Sequence, residues 1–300
     1  MKELAVISGK GGTGKTGMAA SLAALAQNKI VVDCDVDAAN LHIILEPTIQ
    51  TEQIFIGSQK ATIQTEQCSA CGECEAICAF DAVHSQPSKN GTNGMVYHID
   101  AMSCEGCGVC AHFCPAGAIA MNDNESGRWF LSQTRFGPMV HARLGIAENN
   151  SGRLVSLIRE QARQWAQRDH YDLILIDGPP GIGCPVIASI TGVDLVLIMT
   201  EPTLSGLHDL ERVRDLTRHF NIPTVVCINK FDLNLELTAK IEQTVQHMGI
   251  KTLGKIAFDR VFTEAQIQKL SVIEYSNGTS SQEIRILWNK LKTFLSEDTP

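Results

Sequence analysis

The strongest constraint on the fold is an eight-residue segment near the start of the chain, which matches G-x-x-x-x-G-K-[ST] at every position. Its residues are Gly9, Lys10, Gly11, Gly12, Thr13, Gly14, Lys15 and Thr16. An apolar run at residues 4–7 precedes it and an Ala- and Leu-rich stretch at residues 15–28 follows it, which predicts strand, loop and helix. Glycines let backbone N–H groups surround phosphate oxygens, and the helix N-terminus adds positive potential. The segment therefore predicts a phosphate-binding loop, with Lys15 at the β- and γ-phosphates and Thr16 on Mg²⁺.

Short apolar runs alternate with helical patterns through most of the remaining chain. Strands are predicted at residues 30–32, 173–176, 195–199 and 225–228, with helices at 154–167 and 207–220. Such alternation predicts an α/β fold, a doubly wound parallel sheet with helices on both faces. Ligands of such sheets bind beyond the carboxyl ends of the strands. Polar residues at these ends, Asp33, Asp177 and Asn229, are therefore candidate site residues.

Eight of the eleven cysteines lie between residues 68 and 114, in two copies of Cys-x₂-Cys-x₂-Cys-x₃-Cys that are offset by 36 residues. The cysteines are Cys68, Cys71, Cys74 and Cys78 in the first copy and Cys104, Cys107, Cys110 and Cys114 in the second. No secretory signal is visible, so disulfides are not expected. Zinc sites usually show pairs of cysteines separated by a long gap, whereas this spacing is typical of iron–sulfur ligation.

The repeat resembles that of bacterial ferredoxins with two [4Fe–4S] clusters. The resemblance implies one cluster on Cys68, Cys71, Cys74 and Cys114 and a second on Cys104, Cys107, Cys110 and Cys78. Pro115 follows the last cysteine as in the ferredoxin pattern, but Ala79 stands after Cys78, which leaves that turn less constrained. We therefore expect residues 63–122 to form an inserted α+β, bacterial-ferredoxin-like domain. Residues 1–62 and 123–300 would then form one discontinuous P-loop ATPase domain.

The phosphate loop itself carries a second resemblance, through its pattern K-G-G-x-G-K-[ST]. This pattern resembles the loop of the MinD, ParA, Mrp and nitrogenase iron-protein superfamily. The resemblance implies that Lys10 crosses a dimer interface to the partner's nucleotide, so that ATP binding drives formation of a homodimer. It also implies roles in the second acidic motif, in which Asp33 orients a magnesium-bound water, Asp35 assists the attacking water and Asn40 positions it.

Two further segments extend this resemblance. Asp177-Gly-Pro-Pro-Gly181 is similar to the switch loop of the superfamily, which implies that Asp177 holds Mg²⁺ through water and that the Gly181 N–H senses the γ-phosphate. Asn229 and Lys230 stand where the superfamily contacts the nucleotide base. With Asp232 they form N-K-x-D, which also resembles the guanine-reading motif of GTPases. The overall resemblance favours ATP.

Composition limits the partners. A formal net charge of −8 argues against general nucleic-acid binding, which depends on clustered Lys and Arg. No apolar run reaches the roughly 18–20 residues of a membrane span. An apolar face at residues 284–295 predicts a C-terminal helix that packs on the sheet rather than on a membrane. These features indicate a cytoplasmic protein. The acidic segment 63–122 suits a basic redox partner or a metallocluster client protein, and solubility alone explains the charge equally well.

The combined motifs predict an ATPase that couples nucleotide-driven dimerisation to electron transfer through two [4Fe–4S] clusters. One alternative is an ATP-dependent factor that assembles or delivers an iron–sulfur or metal cofactor. Another is a MinD-like positioning or scaffold switch, in which ATP controls association only.

Overall fold

The computed structural model describes residues 1–88, 94–146 and 148–296. The chain divides into two compact units. Unit 1 comprises Met1–Gln53, Trp129–Arg143 and Ser151–Pro300, and unit 2 comprises Ile54–Arg128 and Leu144–Asn150. Unit 2 is wider than the segment 63–122 that the change in composition delimits. The difference arises because unit 2 also includes parts of two long strands on either side of this segment. The sequences of these strands do not differ in composition from those of other strands.

The strands are β1 (Lys2–Ser8), β2 (Lys29–Asp33), β3 (Thr48–Ile63), β4 (Val83–Pro87), β5 (Met95–Ile99), β6 (Ile119–Thr134), β7 (Gly137–Leu144), β8 (Leu173–Pro180), β9 (Leu195–Thr200), β10 (Thr224–Asn229) and β11 (Lys251–Ile256). The helices are α1 (Lys15–Leu25), α2 (Leu41–Leu45), α3 (Glu73–Ile77), α4 (Val109–His112), α5 (Ser151–Asp169), α6 (Cys184–Ile190), α7 (Leu204–His219), α8 (Leu235–His247), α9 (Val261–Ile267), α10 (Val272–Tyr275) and α11 (Thr279–Ser296), with a 3-10 turn at Phe231–Leu233.

The large sheet has the strand order β11-β10-β9-β1-β8-β2-β7-β6-β3. From β11 to β7 each recorded pairing is parallel. This confirms an α/β fold with a large, mostly parallel sheet. The predicted strands at residues 4–7, 30–32, 173–176, 195–199 and 225–228 all lie in it. Helix α1 ends at Leu25, earlier than predicted, because Ala26 is extended and its N–H closes the last turn on Leu22.

Both faces of this sheet are buried at its central strands. Leu4 and Val6 of β1 pack in a core cluster with residues of α1 and α11. Their neighbours Ala5 and Ile7 are also fully buried and point to the opposite face, because side chains alternate along a strand. The apolar face predicted at residues 284–295 is confirmed as the buried side of α11. Burial of both faces explains why the central strands are almost continuously apolar.

Unit 2 contains the cysteine repeat and a small antiparallel sheet of β4 and β5, in which Val83 pairs with Ile99. The two copies of the repeat have matching backbone conformations. Left-handed residues occur at Ala70, Gly72 and Asp81 in the first copy and at Gly106, Gly108 and Gly117 in the second. Each pair is offset by the same 36 residues as the cysteines, so the sequence repeat is also a repeat of local structure.

Candidate nucleotide and cysteine sites

The phosphate loop joins the carboxyl end of β1 to α1. Gly12 and Gly14 have φ values of 79° and 87°, which favour glycine. A Cβ on Gly14 would lie 2.3 Å from the Asn229 amide nitrogen, whereas a Cβ on Gly11 would have no atom of the described residues within 4 Å. The loop is therefore closed on its Asn229 side and open beside Gly11 and Gly12, where a phosphate group would need room.

Lys15 lies among carboxylates at the carboxyl end of the sheet. Its Nζ is 2.7 Å from Asp177 Oδ1 and 3.8 Å from Asp35 Oδ2, and 3.5 Å from the Thr16 hydroxyl. Burial lowers the pKa of Lys15, but Asp177, Asp35 and Asp33 outweigh burial and raise it. Lys15 therefore stays positively charged in this buried position.

Asp33 ends β2 directly opposite Asp177 of β8. Its carboxylate accepts hydrogen bonds from the backbone N–H groups of Asp35, at 3.1 Å, and Leu41, at 3.3 Å. Burial, reinforced by the charge of Asp177, raises the pKa of Asp33 to about 8, and Lys15 opposes this. Burial also raises the pKa of Asp35. Three carboxyl groups around one lysine disfavour the ionised form of Asp33, and a divalent cation bound beside them would favour that form.

Two buried polar atoms of this site have no hydrogen-bond partner in the described part of the chain, Asp177 Oδ2 and the Thr13 hydroxyl. Buried polar groups normally have hydrogen-bond partners, so these two exceptions indicate a place where a water, an ion or a ligand binds. A magnesium-bound water at Asp177 and a phosphate oxygen at Thr13 would satisfy both atoms. The residues present therefore fit Mg²⁺ and a nucleotide phosphate.

Three further residues of the predicted nucleotide site, Asn229, Gly181 and Asn40, differ in their contacts. The Asn229 amide donates to the Thr13 carbonyl, at 2.8 Å, and so braces the loop. The Gly181 N–H donates a hydrogen bond to the Ser8 carbonyl, at 2.9 Å. This hydrogen bond would have to break before the Gly181 N–H could contact a phosphate. Asn40 is exposed before α2, and no side-chain hydrogen bond ties it to the aspartates among the residues described.

The structure adds one residue that the motifs do not identify. Glu201 follows β9, and its carboxylate contacts both Lys10, at 2.7 Å, and Lys230, at 2.9 Å. The available signal was its position: like Asp33 and Asp177, it ends a buried strand at the carboxyl edge. Asp232, the last residue of N-K-x-D, accepts a hydrogen bond from the Phe258 N–H, at 2.6 Å.

In unit 2 the structure brings cysteines of the two copies of the repeat close together. Cys68, Cys71, Cys74 and Cys114 line one small cavity, together with Gly72 and Tyr97. Burial raises the pKa of Cys110, and the neighbouring thiols of Cys104, Cys107 and Cys78 raise it further. Cys114 of the second copy therefore lies with cysteines of the first copy, and Cys78 of the first copy lies near cysteines of the second.

The turns after Cys78 and Cys114 have the same hydrogen bond. The N–H of Ala82 donates to the Cys78 sulfur, at 3.4 Å, and the N–H of Ala118 donates to the Cys114 sulfur, at 3.3 Å. Ala79 therefore preserves the turn that Pro115 shapes in the second copy. Within the described ranges, no three His, Cys, Asp or Glu side chains converge to hold a single metal ion. The fit to a larger group rests on the cavity and on its four sulfur donors.

An α/β sheet with this loop at the end of β1 and buried aspartates at the ends of β2 and β8 defines a P-loop nucleotide-binding protein. Residues 4–272 match the family described as the CobQ/CobB/MinD/ParA nucleotide binding domain. The chain belongs to this family. Within the described residues, no helix has the length and apolar character needed to cross a membrane.

One relative and one solved structure match almost the whole chain, and a second relative matches part of it. An uncharacterized protein of Methanocaldococcus jannaschii is 30% identical over 297 residues, which cover 98% of this chain and 97% of that protein. The iron-sulfur cluster carrier protein of Pyrococcus horikoshii is 26% identical over 140 residues, 42% of this chain and 47% of the carrier. The MinD structure of the same organism, complexed with Mg-ADP, has a TM-score of 0.59 and 16% identity and covers 98% of this chain and 97% of that one. This last likeness shows the fold alone.

Proposed function

We propose that this protein is an ATPase that couples nucleotide-driven homodimerisation to electron transfer through two [4Fe–4S] clusters. Residues 63–122 would be the core of an inserted ferredoxin-like domain, and residues 1–62 and 123–300 the P-loop ATPase domain. Family membership supports nucleotide binding. The observation that supports the iron–sulfur part is the cavity lined by Cys68, Cys71, Cys74 and Cys114, because Cys114 is distant in sequence from the other three and four thiolates are what one cluster requires.

At the nucleotide, each residue has a physical task. Lys15 and the loop N–H groups would neutralise phosphate charge, Thr16 would bind Mg²⁺, and Asp177 would hold a water of that ion. Asp33 accepts backbone hydrogen bonds that fix the segment carrying Asp35, the carboxylate we assign to the attacking water. ATP rather than GTP is supported by the family resemblance and by the engagement of Asp232 with the backbone.

In unit 2 the chain would hold eight thiolates in two groups of four. The clusters would supply one-electron redox chemistry. Burial raises the pKa of Cys74 and Cys110, so a metal centre would have to displace the protons of these thiols when it binds. The acidic surface of residues 63–122 supports a basic redox partner protein in the cytoplasm, and neither nucleic acid nor membrane is expected as a partner.

Cluster assembly or delivery is the second candidate. It is favoured by the partial similarity to the iron-sulfur cluster carrier protein of Pyrococcus horikoshii. Complete four-cysteine sets favour electron transfer, because stable ligation suits a carrier of electrons better than a donor of clusters.

The test is an anaerobic reduction titration of the iron-replete protein, followed by EPR with and without Mg-ATP. We expect Mg-ATP to shift at least one cluster potential by tens of millivolts, since about 60 mV per electron is a tenfold change in the equilibrium. The Lys15→Ala variant serves as the control and should show no shift. Identical potentials in both states, together with transfer of iron to an apo-ferredoxin, would favour assembly instead.

A further inference from the structure

Glu201 connects a lysine of the phosphate loop, Lys10, to a lysine that contacts the loop from outside it, Lys230. Its Oε1 lies 2.7 Å from Lys10 Nζ and its Oε2 lies 2.9 Å from Lys230 Nζ. Lys230 Nζ also donates to the Gly12 carbonyl, at 3.0 Å. One carboxylate thus links the second residue of the loop to the lysine that holds the middle of the loop. The Glu201 side chain is only 14% exposed, so water competes weakly for these contacts.

All hydrogen-bonding capacity of the Lys10 ammonium is used inside its own chain. Besides Glu201, the hydroxyls of Thr203 and Ser205 each lie 3.0 Å from Lys10 Nζ. An ammonium has three donors, and these are three acceptors. Lys10 therefore cannot contact a phosphate without giving up at least one of them.

Glu201 is the charged member of this group. Burial raises the pKa of Glu201, but its hydrogen bonds with Lys10 and Lys230 outweigh burial and leave the pKa below its ordinary value. Its contact with Lys10 joins two opposite charges, whereas Thr203 and Ser205 offer neutral hydroxyls to the same ammonium. Among the three acceptors, Glu201 is thus the one that most restrains Lys10.

We propose that Glu201 is a positioning residue that retains Lys10 on its own chain and thereby sets the ATP concentration at which Lys10 reaches a second copy. The retention of Lys10 stands on the contacts alone. Its consequence for association rests on the proposed function, in which Lys10 contacts the nucleotide of a partner. Phosphate oxygens of bound ATP would compete with Glu201 for the same ammonium.

The test uses Glu201→Gln, which keeps the shape of the side chain but has one carbonyl oxygen for two lysines. Glu201→Asp keeps the charge, and Glu211→Gln removes a charge from an exposed position on α7. The first measurement is the rate at which an amine-acetylating reagent modifies Lys10 in the nucleotide-free protein, read by mass spectrometry. The second is the Mg-ATP concentration that gives half-maximal dimer in sedimentation.

In Glu201→Gln we expect Lys10 to be acetylated about three- to fivefold faster and the dimer to form at a Mg-ATP concentration lower by a similar factor. Glu211→Gln should match the wild type and Glu201→Asp should lie between. Unchanged acetylation would overturn the proposal, as would a dimer that requires more ATP in Glu201→Gln than in the wild type. If the wild type binds Mg-ATP and stays monomeric, the proposed function fails, and the acetylation rate still decides whether Glu201 restrains Lys10.

Discussion

Lys15 and Asp177 form an ion pair of 2.7 Å between side chains that are only 7% and 1% exposed. They stand 162 residues apart in sequence and meet because β1 and β8 are adjacent strands. Asp35 adds further negative charge around Lys15, and so does Asp33 in its ionised form. Lys15 is thus both the expected phosphate ligand and the cation that makes this group of aspartates tolerable in the free protein.

Replacing Lys15 by Ala should abolish ATP hydrolysis and lower the free energy of unfolding by about 3 kcal/mol, because it leaves a buried carboxylate without its partner. Phosphate release and denaturant unfolding measure the two effects. The exposed Lys240 of α8, changed to Ala, is the control and should leave both unchanged. Wild-type turnover in Lys15→Ala would refute the assignment of the phosphate loop.

Replacing Lys10 by Ala should weaken ATP-dependent dimerisation while the monomer still binds Mg-ATP, since Lys10 is expected to act on the nucleotide of the partner. Sedimentation with and without Mg-ATP measures the mass, and a fluorescent ATP analogue measures affinity. An ATP-dependent mass equal to that of the wild type would count against a dimer that encloses the nucleotides.

The raised pKa of Asp33 predicts a pH dependence. Burial and Asp177 raise it from 3.8 to about 8, so the folded protein holds a proton that the unfolded chain releases. Stability from this group is complete below the unfolded pKa and is lost as the pH rises through the folded pKa. Between these values the free energy of unfolding should fall by at most about 1.4 kcal/mol per pH unit on its account.

The variant Asp33→Asn cannot titrate and should therefore show a shallower fall across the same window. Denaturant unfolding of the nucleotide-free protein at a series of pH values gives both slopes. Asp215→Asn, at an exposed position of α7, is the matched control. Equal slopes for wild type and Asp33→Asn would show that Asp33 is ionised throughout.

Gly14→Ala and Gly11→Ala form a matched pair within one loop. Gly14 has φ 87°, and an added Cβ would lie 2.3 Å from the Asn229 amide that braces Thr13, so this variant should lose stability by about 1–3 kcal/mol. Gly11 has open space around it, and its variant should unfold like the wild type. Equal unfolding of both variants would mean that the Asn229 contact does not hold the loop.

Cys114→Ser should remove one cluster and leave the other, because Cys114 belongs to the set of Cys68, Cys71 and Cys74. Iron analysis after anaerobic reconstitution should give about eight iron atoms per wild-type chain and about four in this variant. Cys184→Ser, at an exposed position outside the repeat, should keep about eight. Eight iron atoms in Cys114→Ser would refute its role as a ligand.

Much of the fold was predictable, because its signals are local. The apolar runs of β1, β2, β8, β9 and β10 are enough to predict these strands. The phosphate loop is predictable too, because its backbone geometry requires glycine at Gly12 and Gly14. The apolar face of α11 can likewise be predicted from the spacing of its apolar residues. Element ends were less certain: α1 stops at Leu25 because of the conformation of Ala26, which its composition does not reveal.

The boundaries between the two units could not be predicted from local sequence patterns either. Strands β3 and β6 are each sixteen residues long and pass through the boundary between Gln53 and Ile54 and between Arg128 and Trp129. Nothing in their composition changes at those points. The change in composition at residues 63 and 122 instead records where the cysteine-rich turns begin and end.

The amino-acid sequence by itself determined the residue types and spacings of the phosphate loop and of the repeat of eight cysteines, because these depend on neighbours along the chain. The tertiary structure alone decided which distant groups meet. It placed Glu201 between Lys10 and Lys230, and it buried Asp33 beside Asp177. The physical reason is that charge pairing, desolvation and ligand convergence depend on distance in space, and strand order sets that distance.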